Sequence, residues 1–186
     1  MVVAVVDPRA GYIEGNGWFT SPSVSYMPFA VVSFEFDARY EEADSVPSGQ
    51  TKIHTIDWEF HSTSYEWLVV SDNGCAKLKG AGAMVKTFGA VPHGRPEYGF
   101  LLTICENASD IRKAPKDDHH SLDSIRIHVW SLVNGKIIYD NRKIVYDEAD
   151  SFDHGTILGG GKIEIHRPKE PKGPGSETES GEDGDW

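Results

Sequence analysis

The sequence predicts an all-β protein, an antiparallel β-sandwich of jelly-roll type with about nine strands. Three observations predict it. Apolar and charged residues alternate in Phe34-Glu35-Phe36-Asp37-Ala38-Arg39-Tyr40, the period-two signature of a strand with one buried face. Helical spacing recurs nowhere over a convincing length. Turn signals are frequent, and Asn73-Gly74 and Asn134-Gly135 carry the pair that tolerates positive φ, so the strands flanking each should form a hairpin. Many short antiparallel strands imply opposed layers, because one open sheet of this width would leave an apolar face wet.

In chain order the strands are expected at residues 11–20, 34–40, 56–60, 65–70, 75–85, 98–105, 125–130, 136–139 and 162–166, each bounded by Gly, Pro, Asn or Asp. The stretch from Trp58 to Val70 reads as two runs meeting at a polar turn, His61 to Tyr65. Trp58 and Phe60 share the phase of Ile56 and are assigned inward with it. Gly159-Gly160-Gly161 precedes a strand and not a helix, so a bulge or a close strand crossing is expected there in place of a phosphate cradle.

A chain of 186 residues suits one domain, taken as residues 1–167, with an N-terminal strand in residues 1–10 and an acidic tail from 168 to 186. That tail has almost nothing apolar to offset its ordering entropy. Acidic residues outnumber basic ones 29 to 18, for a net charge of -11, so nucleic acid and anionic membrane surfaces are disfavoured partners. The apolar run Val2, Val3, Ala4, Val5, Val6 stops at Asp7-Pro8-Arg9, well short of an export signal or a spanning helix. A β-branched run of this kind should not stay exposed, and strand addition to a neighbouring subunit is one way to cover it. The other is pairing within its own domain.

Candidate metal ligands fall in two polar segments. Asp147, Glu148, Asp150 and Asp153 offer the hard oxygen atoms that calcium prefers, although their spacing does not match an EF-hand. Asp117, Asp118, His119 and His120 are a weaker set for a transition metal, because adjacent residues rarely converge on one ion. Aromatic residues Tyr12, Trp18, Tyr65 and Trp67 are candidates for a sugar-stacking platform, with burial in the core as the competing role. No catalytic set is assigned: the histidines form no zinc-protease pair, and a serine triad cannot be read from sequence. Cys75 and Cys105 are the two cysteines, and alternation puts both on the same type of face. Oxidised, they would close a loop and stabilise the fold; in a reducing compartment they stay as thiols.

Several short motifs occur in one order: residues 11–22, 34–40 and 46–49, Phe60 to Val70, Lys77 to Gly80, Tyr98 to Thr103, Ile125 to Ile127, Ile138 to Asn141 and Gly159 to Ile165. In this the chain, over residues 5–167, resembles the post-COAP domains found near the C-termini of large secreted bacterial proteins that also carry immunoglobulin-like repeats. The resemblance implies an all-β, non-catalytic module and an extracellular or cell-surface location; it transfers no active site. The insert around Asp117 to His120, the loop from Val85 to Pro96, both cysteines and the acidic tail depart from the family pattern. The expectation is therefore a structural or interaction module with a protein partner or a second copy of itself, self-assembling by the N-terminal strand and stabilised by calcium. A carbohydrate-binding module is the alternative, and a hydrolase of unrecognised type the third.

Overall fold

The computed structural model describes residues 11–23, 25, 27–41, 44–86, 97–106, 123–142 and 155–167. The expected N-terminal strand and acidic tail lie outside them. The elements are β1 (Tyr12–Thr20), β2 (Val31–Arg39), β3 (Ser48–His54), β4 (Trp58–Val70), β5 (Cys75–Lys86), β6 (Tyr98–Cys105), β7 (Ser124–Ser131), β8 (Ile137–Asp140), β9 (Thr156–Ile157) and β10 (Gly160–His166). All pairings are antiparallel, and β1 to β8 lie side by side in chain order, with β10 outside β1 and β9 against β7.

The protein is therefore all-β and antiparallel, built as one strongly curled sheet. Successive strands are neighbours, as in a meander, within a single sheet whose curl is compatible with the expected sandwich. The segment from Thr156 to His166 links the two sides of the strand order, because its start pairs with β7, the neighbour of the last strand β8, at Ser124 and Ile125 and its remainder pairs with β1 from Trp18 to Tyr12. Between the two, Leu158 N–H donates to Asp123 O and Gly159 N–H to Trp18 O. The sheet is thereby drawn round on itself.

The interior is filled by aromatic rings lying over glycines. Gly15 faces Phe36 and Gly17 faces Phe34 across β1 and β2, while Gly80 faces Phe100 across β5 and β6. A Cβ at Gly15 would sit 2.7 Å from Cζ of Phe36, and one at Gly82 would meet the ring of Phe60. Strand glycines usually weaken a sheet; here they leave the space that the rings occupy and let the strands curl tightly. Ile13, Ile53, Leu78, Leu102, Ile127 and Ile163 complete the same buried layer.

Two expectations about Trp58 to Val70 are corrected. The stretch is one thirteen-residue strand, not two runs joined by a turn. His61, Ser62, Ser64 and Tyr65 stay in the ladder, and register shifts between Ser62 and Ser64 and between Tyr65 and Trp67 interrupt the pairing without reversing the strand. Ile56 is 69% exposed, while Trp58 and Phe60 are buried. The cause is the turn before β4: Thr55 N–H donates to Trp58 O, and Thr55 Oγ1 accepts from the N–H groups of Asp57 and Trp58, so Ile56 never enters the strand phase. The sequence reading also missed β3, whose outer residues are nearly all polar, and the two-residue β9.

Both Asn-Gly hairpins form. Gly74 and Gly135 hold φ of 79° and 70°, and Asn73 and Asn134 accept from the N–H groups two residues on. Cys75 faces Cys105 directly across β5 and β6, and the two are joined by a disulfide.

Candidate functional site on the outer face of β1 and β10

Alternation on β1 sends Ile13 and Phe19 inward and Tyr12, Glu14, Asn16 and Trp18 outward. Across the ladder, β10 sets His166 opposite Tyr12, Glu164 opposite Glu14, Lys162 opposite Asn16 and Gly160 opposite Trp18. The outer face of the pair is thus a polar row with an aromatic ring at either end. The rings are six residue steps apart along the strand, about 20 Å at the usual rise.

The two ends differ. The Tyr12 ring is stacked on His166 with centroids 3.9 Å apart and planes 9° from parallel, and the Arg39 guanidinium lies 5.7 Å from its centroid. His166 Nε2 is 3.3 Å from Glu14 Oε1 and 3.4 Å from Glu164 Oε2. Tyr12 is therefore already engaged by its neighbours. Trp18 is not. Its indole lies on Gly159 and Gly160, where any added Cβ would strike the ring, and it is 44% exposed. The carbonyl of Trp18 is pinned by Gly159 N–H at 2.8 Å.

In the middle of the row, Lys162 pairs with Glu164. The hydrogen bond and charge of Glu164 hold the Lys162 ammonium above its ordinary range, and Lys162 holds the Glu164 carboxyl below its own. Glu14, Glu164 and His166 offer atoms within 4.8 Å of one another, a spacing that a cation could use, but each already takes part in a surface ion pair.

The four aromatic residues expected to form a sugar platform are not brought together. Tyr12 and Trp18 share a face. Tyr65 is a correction, because it is buried in the curl, where its hydroxyl donates to Asp37 O at 2.8 Å and lies 3.0 Å from Thr51 Oγ1. Burial pushes the Tyr65 phenol up to about 12, against the opposing pull of the Thr51 and Ser62 hydrogen bonds, with the Asp37 charge adding to the rise. Trp67 is half-buried on β4 opposite Lys79, three strands away from β1 in the sheet order. The expected calcium ligands Asp147, Glu148, Asp150 and Asp153 lie outside the described residues, as do Asp117, Asp118, His119 and His120 and the assembly strand Val2, Val3, Val5 and Val6.

Asn16, Lys162, Glu164 and His166 were not singled out by the sequence. The alternation of Lys162-Ile163-Glu164-Ile165-His166 does put their β10 members on one face. Its pairing with the far N-terminal strand β1 leaves no local mark. Comparison with protein-family models, with curated proteins and with solved structures finds no match to this chain.

Proposed function

We propose that this domain is a non-catalytic structural or interaction module of an extracellular assembly, acting by packing instead of chemistry. The observation that carries the reading is an apolar end to the curled sheet. Phe29 is 71% exposed with φ of 61°, a left-handed backbone that a bulky residue adopts at a cost of about 1–2 kcal/mol. Its N–H donates to Ser21 O, and Ser21 N–H donates to Ala30 O, which hold the loop in that shape. Ser33 faces His54 at the last pair of β2 and β3, and two residues further toward the same end lie Val31 on β2 and Ile56 in the turn that follows β3, 60% and 69% exposed. Exposed apolar side chains at one end of the sheet are suited to contact with another protein.

Two further features support the reading. The disulfide between Cys75 and Cys105 suits an oxidising, extracellular setting. Strand β8 ends the sheet, and among the described residues no strand pairs with its outer edge, so it offers a place for an added strand such as Val2 to Val6 of a second copy. Calcium held by Asp147, Glu148, Asp150 and Asp153 belongs to the same reading.

Light scattering on the purified full chain, with and without calcium, tests it. An oligomer that Phe29→Asp/Ile56→Asp converts to a folded monomer supports the apolar end as the contact. A wild-type chain that stays monomeric under both conditions refutes self-assembly, and an oligomer unaffected by both the double substitution and deletion of residues 1–6 refutes these surfaces.

A further inference from the structure

We infer that the outer face of β1 and β10 is a binding track for a linear, neutral polysaccharide, with Trp18 as the stacking platform for one sugar ring. This goes beyond the packing role above and uses a different surface.

The first ground is the posture of Trp18. The other tryptophans among the described residues are engaged in the fold: Trp58 is buried with its Nε1 3.3 Å from Met27 Sδ, Trp67 is half-buried, and Trp130 lies over Gly99 and against His128. Trp18 is seated on Gly159 and Gly160 by one side and open to solvent. Covering two glycines explains the buried side of the ring; it does not call for an exposed one. A rigid indole held flat on a sheet has little conformational freedom left to lose when a pyranose places its C–H face on it.

The second ground is what continues from it. Along the strand direction the face runs from Trp18 to Asn16 opposite Lys162 and then to Glu14 opposite Glu164. An amide, an ammonium and two carboxylates are the donors and acceptors that sugar hydroxyls need. The ion pairs of Lys162 with Glu164 and of His166 with Glu14 and Glu164 hold these groups in place before any ligand arrives. The row is about 20 Å long at the usual strand rise, so the ligand it fits is an extended chain of several sugars and not a monosaccharide. Tyr12, 37% exposed, is stacked on His166 with the Arg39 guanidinium near its ring, and marks the far end of the track.

Calorimetric titration of the full chain with cellohexaose, xylohexaose, mannohexaose and chitohexaose tests the proposal, with indole fluorescence followed in parallel. At least one hexasaccharide should bind saturably and shift the fluorescence. Trp18→Ala should weaken that binding roughly tenfold or more, the worth of one stacking contact. Trp18→Phe, which keeps a ring over the glycines, and the exposed Asn16→Ala should each weaken it by a smaller factor, while Trp130→Ala leaves it unchanged. If Trp18→Ala does not fold, the Phe and Asn16 variants decide. Absence of binding to all four probes, or binding that these variants leave at the wild-type level, overturns the proposal. Neither result bears on the oligomeric state that tests the packing role.

Discussion

The side chain of Asn141 stands in for a missing peptide group beside Ile127. Its Oδ1 accepts the Ile127 N–H at 2.6 Å, and its Nδ2 donates to Ile125 O at 2.9 Å and to Thr156 Oγ1 at 3.0 Å. The outer edge of β7 is covered by β8 at one end and β9 at the other, and the fully buried Asn141 spans the gap between them. Nearby, the buried carboxylate of Asp123 accepts the N–H of Ile163, in the middle of β10, at 2.8 Å. Closure of the sheet thus rests on polar side chains as well as on strand pairing.

Asn141→Ala leaves a buried donor and a buried acceptor of β7 without partners. Urea unfolding should show a loss of about 2–3 kcal/mol, and hydrogen exchange at Ile127 should rise more than at Ile53 in the middle of the sheet.

Gly15→Ala drives a methyl group into the Phe36 ring and should cost about 1–3 kcal/mol. Phe36→Leu alone leaves a cavity. Because the nearest obstacle is the ring tip and not backbone, the double variant should be more stable than the sum of the two single effects predicts, a coupling that a double-mutant cycle measures.

Tyr65 and Tyr139, the two buried tyrosines among the described residues, make the fold alkali-sensitive. Burial pushes the Tyr139 phenol up to about 12, opposed by its hydrogen bond with Ser21 and aided by the Asp140 charge, and Tyr65 is raised to the same level. Both are neutral in folded and unfolded chains below pH 10, the ordinary phenol value. Above it the unfolded chain releases protons that the folded one retains, so stability is full below pH 10 and falls as pH rises toward about 12. Tyr65→Phe and Tyr139→Phe should each flatten part of that fall in chemical denaturation series.

Arg126 holds Asp140 with two hydrogen bonds, at 3.0 and 2.8 Å, on largely covered side chains. Burial acts to raise the Asp140 carboxyl, but the hydrogen bonds from Arg126 and from Arg142 N–H and the Arg126 charge outweigh it and lower the net value. The pair therefore contributes stability above the ordinary carboxylate range and loses it as pH falls through the lowered value. Asp140→Asn should cost about 1–2 kcal/mol at neutral pH and reduce the acid dependence of melting.

Cys75 and Cys105 lie 30 residues apart in sequence, so their bond removes the entropy of a sizeable loop from the unfolded chain. Reduction, or Cys75→Ser with Cys105→Ser, should lower stability by about 3 kcal/mol while the β5–β6 ladder persists by circular dichroism.

Much of the fold was legible because its causes are local. Alternation in Phe34 to Ala38 and in Ile125 to Val129 reports which side chains face inward, and Asn73-Gly74 and Asn134-Gly135 report where the chain reverses. These signals arise within a few residues, so the sequence by itself determined the antiparallel β class, most strands and two hairpins. Signals failed where local pattern and local geometry part. Ile56 alternates with Trp58, but the Thr55 hydroxyl organises a turn that takes it out of the strand.

Only the tertiary structure decided what the outer residues do. Tyr12 and Trp18 read alike in sequence, yet the fold brings His166 of β10 and Arg39 of β2 to the Tyr12 ring and seats Trp18 on Gly159 and Gly160, leaving each ring partly exposed. Tyr65 looks as available as either and is buried, because the curl of the sheet brings Thr51 and Asp37 to its hydroxyl. The physical reason is range. Strand phase is set by neighbours two residues away, whereas the exposure of an aromatic ring depends on strands that arrive from more than a hundred residues along the chain, as β10 does against β1.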